Sequence, residues 1–171
     1  LIHGTIDVGF LVAPVLDKRI DNITILEERF VACLPKSHAL ANCNHIIDVS
    51  KLCDENWVMT PREAGHGYHD AIMSLCKEHH FIPNVIQTAQ EQQTLVALVA
   101  AEMGVTLLPH SATYIKNDHV VYKEINSDIK KVSAMAWNAS LLTDAARYFI
   151  QYIEEKIHEG MIEETTVPEH P

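Results

Sequence analysis

Short apolar runs, each too brief to be a buried helix, alternate along this chain with longer amphipathic stretches, and that alternation limits the fold more than any other feature. Strands covered on both faces read as continuous aliphatic or β-branched runs, and parallel pairs of them need a helical crossover. Residues 6–12, 30–34, 57–59, 85–88, 105–108, 120–124 and 132–137 are the candidate strands. The fold class that follows is α/β.

Helices are predicted between them. Tyr68, Ala71, Ile72, Leu75, Cys76 and His79 recur at helical spacing, so residues 66–80 should form a helix that Pro83 stops. A second helix over 91–103 is almost wholly apolar across 95–101, which predicts that it lies well inside its lobe, with Gly104 as a left-handed C-cap. A third starts at Thr143 as N-cap with Asp144 in its first turn, buries Ala146, Phe149, Ile150, Ile153 and Ile157, and ends at Gly160. The strand at 85–88 is expected to be buried, and with the second helix and the strand at 105–108 it should make one right-handed crossover with its two strands parallel. In such sheets a ligand settles beyond the carboxyl ends of the strands, beside helix N-termini. That directs attention to residues 60–67 and 89–93.

Composition narrows the function classes. Of 171 residues, 47% are hydrophobic and 21% charged, enough apolar material for one substantial core or two small ones, while a net charge of −10 makes the surface repel phosphate. No apolar run approaches the ~20 residues of a membrane span and no basic-flanked leader opens the sequence, so the expectation is a cytoplasmic protein with no membrane contact. The four cysteines, at 33, 43, 53 and 76, show no paired short spacing and read as reduced thiols, with Cys33 and Cys76 on apolar faces.

Four segments in order, LIHGTIDVGF (1–10), RFVACLPKSHALA (29–41), CKEHHFIP (76–83) and TLVALVAAEMGVTLLP (94–109), resemble the effector-binding domain of LysR-type transcription regulators. The family's proline after the histidine is Ala39 here, its glycine before Phe81 is His80, and the glycine of its "aaG" turn is Glu102. The resemblance implies a two-lobed fold of the type II periplasmic-binding-protein kind, with lobe one at 1–28 and 120–171 and lobe two complete at 29–119; the tail at 160–171, acidic and without periodicity, is expected to fray. It implies that lobe one is incomplete in this chain and that DNA is contacted only by an N-terminal domain outside it. A homodimer or tetramer is implied, as is a small-molecule effector, with carboxylates and aromatic acids frequent among those of the family. Chain crossings between the lobes are expected at Glu28, Arg29 and Phe30 and again at Val120 and Val121, with the effector between the lobes and hinge motion as the switch.

The candidate effector residues are Thr60, Pro61, Gly65, His66 and Gly67 on one side and Gln90, Glu91, Gln92 and Gln93 on the other. Thr60 and Pro61 stand where the chain leaves a strand. The Gly65–His66–Gly67 stretch is either a plain turn or a helix opening whose free N–H groups cradle a carboxylate. The polar run from Gln90 exceeds what helix capping requires, and the matching turn in the family lines the effector cleft.

Other chemistry is weaker. His66, His69, Cys76, His79 and His80 offer metal-like spacings but do not share one face, so no metal site is expected. No G-x-S-x-G elbow or facing carboxylate pair is present, no dinucleotide fingerprint accompanies Gly65, and neither enzyme activity nor a cofactor is expected. The alternatives are a solute-binding protein of a transporter, which has the same two-lobe architecture, and a protein-interaction module with a relic pocket.

Overall fold

The computed structural model describes residues 1–160, so most of the acidic tail expected at 160–171 lies outside the described residues. The chain divides into two compact units, Leu1–Glu28 with Val132–Pro171, and Arg29–Lys131. The second holds four buried or half-buried strand segments and two helices. Strands β3 (Asn56–Met59) and β4 (Asn84–Thr88) pair in parallel, from Asn56 opposite Asn84 to Met59 opposite Thr88, with an irregularity after Trp57. Helix α1 (His66–Glu78) connects them and buries Tyr68, Ile72, Leu75 and Cys76 of the expected stripe, while Ala71 and His79 are half-buried. Helix α2 (Gln92–Ala100) follows β4.

Strand β5 (Thr106–Pro109) does not lie beside β4. β3 separates them: Val105 bridges Trp57 in parallel, with Val58 N–H donating to Val105 O at 3.0 Å and Val105 N–H to Asn56 O at 2.8 Å. β5 then pairs antiparallel with β2 (Asp21–Pro35), Phe30 opposite Pro109 through Cys33 opposite Thr106. The crossover through α2 therefore skips a strand, with a central strand filling the gap.

Strand β6 (Val120–Glu124) is antiparallel to β2, Pro35 opposite Val120 and Leu34 opposite Val121. This corrects the expected return crossing. Val120 and Val121 are locked by the ladder into the second unit, and the chain leaves that unit between Lys131 and Val132 instead.

The core of this unit lies beneath α2, where Leu95, Val96 and Val99 meet Cys33, Val58, Leu108, Ala112 and Val120. Each such aliphatic side chain contributes about 1.5–3 kcal/mol on burial. Ala97 and Ala101 are exposed, so α2 is half-buried, not enclosed; alanines make the run apolar without requiring cover. All five residues of β4 are exposed, because it is an edge strand paired only with β3 among the described residues, which corrects the buried strand expected at 85–88.

Gly104 is not the left-handed residue. Glu102 (φ 59°) takes that conformation after α2 and His80 (φ 63°) after α1. Gly104 is required for a different reason: a Cβ there would stand 2.4 Å from Asn56 O.

In the first unit β1 (Val8–Val12) pairs antiparallel with β7 (Lys130–Trp137), which also neighbours β2. Helix α3 (Asp144–His158) starts at Thr143, whose hydroxyl accepts from Ala146 N–H, and ends before Gly160 (φ 67°). It buries Ala146 and Ile150, whereas Ile153 and Ile157 are half-buried and Phe149 is exposed. The helical period placed Phe149 at the margin of the stripe, and a margin is covered only where a neighbour reaches it.

Candidate functional site

Parallel strands that end together bring two polar segments to one end of the second unit. Met59 is opposite Thr88, and Met59 O accepts Ala89 N–H at 3.0 Å. Thr60 and Gln90 are therefore the exits of two adjacent strands. Thr60 is only 6% exposed, and among the described residues its hydroxyl makes no hydrogen bond. Pro61 (φ −68°, ψ 149°) turns the chain into a 3-10 turn, Arg62–Ala64, that leads to α1.

Gly65 is the N-cap of α1 in extended backbone, with no side chain to cap the helix. The first helical bond is His69 N–H to Gly65 O at 3.0 Å. The N–H groups of His66, Gly67 and Tyr68 thus precede any intrahelical acceptor. Tyr68 anchors this turn from beneath, its buried hydroxyl donating to Leu107 O at 3.0 Å. At α2 the N-cap is Glu91, whose side chain makes no capping bond, while its carbonyl accepts from Thr94 and Leu95 N–H, both at 3.1 Å. Gln90, Glu91 and Gln93 are exposed and Gln92 is half-buried. Capping thus does not account for this polar run. Two helix N-termini, each without a side-chain cap, follow the two neighbouring strands, and their partial positive charge suits an anion.

Of the expected crossing residues, Glu28 and Phe30 are buried and Arg29 exposed in the unbroken β2, where the chain passes between units. Val120 and Val121 are not at a crossing.

The histidines have other partners. His69 Nδ1 lies 3.1 Å from Asp70 Oδ1, and His79 Nδ1 lies 3.4 Å from Asp48 Oδ1. His38 Nδ1 accepts Leu40 N–H at 3.1 Å, which leaves its proton on Nε2 to reach Glu55 Oε1 at 3.0 Å. Among the described residues no three His, Cys, Asp or Glu side chains are grouped for a metal. Burial pushes the thiols of Cys33 and Cys76 up to about 12, so both are inert core groups.

Sequence reasoning missed Arg62 and Asp70. Arg62 donates from Nε and Nη2 to the two carboxylate oxygens of Asp70, both at 2.9 Å. That hydrogen bonding, with His69 second, holds the Asp70 carboxyl well below the usual carboxylate range. An arginine in a loop and an aspartate within the following helix give no periodic signal. An opening of about 430 Å³ lined by Leu1, Ile2, His3, Thr5, Leu11, Val15 and Ile20 in the first unit touches none of the candidate residues.

The family model of the LysR substrate binding domain matches residues 1–157. The chain is 32% identical over 135 residues to the transcriptional regulator CatR of Pseudomonas putida, covering 79% of this chain and 43% of that protein. With the regulator AlsR of Bacillus subtilis it shares 31% identity over 126 residues, 74% of this chain and 41% of the relative. The chain thus spans under half the length of either. Among solved structures, the BenM effector binding domain with its effector benzoate superposes with a TM-score of 0.74 at 22% identity, covering 99% of this chain and 78% of that one. Full-length CbnR complexed with its target DNA gives 0.78 at 17% identity over 91% of this chain and 54% of that one. Their type II periplasmic-binding-protein-like fold is the fold of this chain. No helix among the described residues is long and apolar enough to cross a membrane.

Proposed function

We propose that this chain, which belongs to the LysR substrate-binding-domain family, senses a small anionic effector at the polar end of its second unit, and that the whole protein passes the signal to promoter DNA. Thr60, Pro61, Gly65, His66 and Gly67 face the effector from the β3 side, and Gln90, Glu91, Gln92 and Gln93 from the β4 side. One observation carries the reading: β3 and β4 end side by side, and each feeds a helix whose N-terminus lacks a side-chain cap.

The chemistry favours a carboxylate, including that of an aromatic acid. Free amides and the helix ends supply partial positive charge, the Thr60 hydroxyl donates, and Gln92 can both donate and accept. BenM, a relative of the same family, carries benzoate as its effector in the solved structure. DNA contact belongs to a segment outside these residues, assembly is as a homodimer or tetramer, and β2 between Glu28 and Phe30 is the flexing crossing.

The test is a calorimetric and thermal-shift screen of benzoate and a panel of small carboxylic acids against this chain, followed by Gln92→Leu and Thr60→Val. A ligand at about 100-fold over its Kd adds about 2.7 kcal/mol of stability. Each substitution should then weaken binding by about 1–3 kcal/mol with little change in folding. Unchanged affinity in both variants for an acid that binds the parent would move the site elsewhere.

A further inference from the structure

The loop that carries half of the proposed site is held by a side-chain clamp, not by burial. Its turn, Arg62–Ala64, contains no buried residue. Two backbone bonds close it, Ala64 N–H to Pro61 O at 3.0 Å and Gly65 N–H to Arg62 O at 3.2 Å, and both are internal to the loop. Neither fixes where the loop lies against α1. The Arg62 fork does: it spans the helix opening and grips both oxygens of Asp70 at 2.9 Å. Bidentate pairing fixes the plane of the guanidinium as well as its distance, which a lysine cannot do. His69 Nδ1 meets the same Asp70 oxygen at 3.1 Å and steadies the carboxylate from the helix side. Arg62 is also the one Lys or Arg within residues 60–67 and 90–93, so no other cation of these segments can take its place.

We infer that Arg62 and Asp70 form a latch that sets the shape of the loop between Pro61 and Gly67, making both positioning residues for the effector site. The inference rests on the reading of that site given above. The latch determines where the free amides of His66 and Gly67 point before any ligand arrives. It also occupies the guanidinium, so that the loop presents its amides and not a side-chain charge.

Trypsin supplies a readout specific to the clamp, because cleavage after Arg62 requires its guanidinium to leave Asp70 and enter the protease. The parent, Asp70→Asn and Asp70→Glu are digested in the native state, and scission of the bond between Arg62 and Glu63 is followed by mass spectrometry. Asp70→Asn should be cut roughly two- to fivefold faster, the range of an exposed ion pair, and the heteronuclear NOEs of Ala64, Gly65 and Gly67 should fall. Asp70→Glu should stay near the parent, and the charge-swapped pair Arg62→Asp with Asp70→Arg should recover the NOEs. Parent-like cleavage and NOEs in Asp70→Asn would overturn the latch, and so would a loss that the swapped pair does not recover. All of this is measured without ligand, so the latch stands or falls separately from the effector site, which the Gln92 and Thr60 variants decide.

Discussion

Replacing Glu102 by glycine should stabilise the protein relative to replacing it by alanine, although glycine ordinarily weakens a helix interior. Glu102 sits at φ 59°, just beyond α2, where a Cβ crowds the backbone. The left-handed conformation costs a residue with a Cβ roughly 1–2 kcal/mol, and glycine's looser unfolded chain returns about 0.4–1 kcal/mol of that. The Glu102 carboxylate also accepts from Ser37 Oγ at 2.5 Å, so a direct comparison with the parent would mix strain with a lost bond. Both variants lose that bond and the carboxylate, and the difference between them isolates the backbone. Glu102→Gly should exceed Glu102→Ala by about 1 kcal/mol, or about 2–4 °C in Tm for a chain of this size. Urea midpoints with matched slopes give the number. Equal stability of the two variants would mean that this turn relaxes freely and that φ here stores no strain.

Thr106 Oγ1 is buried without a hydrogen-bond partner, so Thr106→Val should raise stability by about 1 kcal/mol in thermal unfolding, and a loss would reveal a partner for the hydroxyl. Gly104→Ala should destabilise by about 3 kcal/mol or prevent folding, because the new Cβ would meet backbone at Asn56 O, 2.4 Å away, and not a side chain that can swing aside. The Asp17 carboxyl, hydrogen-bonded by Arg19, should titrate near 2 instead of 3.8 in a carboxyl-detected NMR titration, and Arg19→Gln should return it. Because the folded value is depressed, the stabilisation is present above pH 4 and lost as pH falls towards 2.

The strands were legible where burial wrote them. Trp57, Val58 and Met59 are fully buried and the sequence is continuously apolar there. The first part of β2, from Asp21 to Arg29, was not: it alternates Ile23 and Ile25 with polar residues, and acids at Glu27 and Glu28 masked the strand. The strand order was also hidden, because β5 could lie beside β4 or beside β3 with the same residues, and the close approach that Gly104 permits at Asn56 favours the latter. At the candidate site, the polar run from Gln90 and the glycines at 65 and 67 were visible as departures from apolar periodicity. The Arg62 fork was not, since it depends on how a loop folds back over a helix.

The two ends of the second unit are built under different demands. At the carboxyl ends of β3 and β4, the helices begin with Gly65 and Glu91 and no side-chain cap, an arrangement that forgoes about 1 kcal/mol at Glu91 and a few tenths at Gly65 but leaves amides for a ligand. At the other end of the same helices, His80 and Glu102 hold left-handed positions where glycine is the unstrained choice. Ordinary stabilisation would cap the first pair and replace the second pair. Capping would spend the amides on side chains and close the proposed site, whereas glycine at 80 or 102 acts a full helix length away and leaves it open. A variant of Glu91 that caps α2, such as Glu91→Ser, should therefore gain stability while losing affinity for a carboxylate. Glu102→Gly should be more stable than Glu102→Ala and leave binding intact. If both variants kept the same affinity, the free amides of α2 would have no part in recognition.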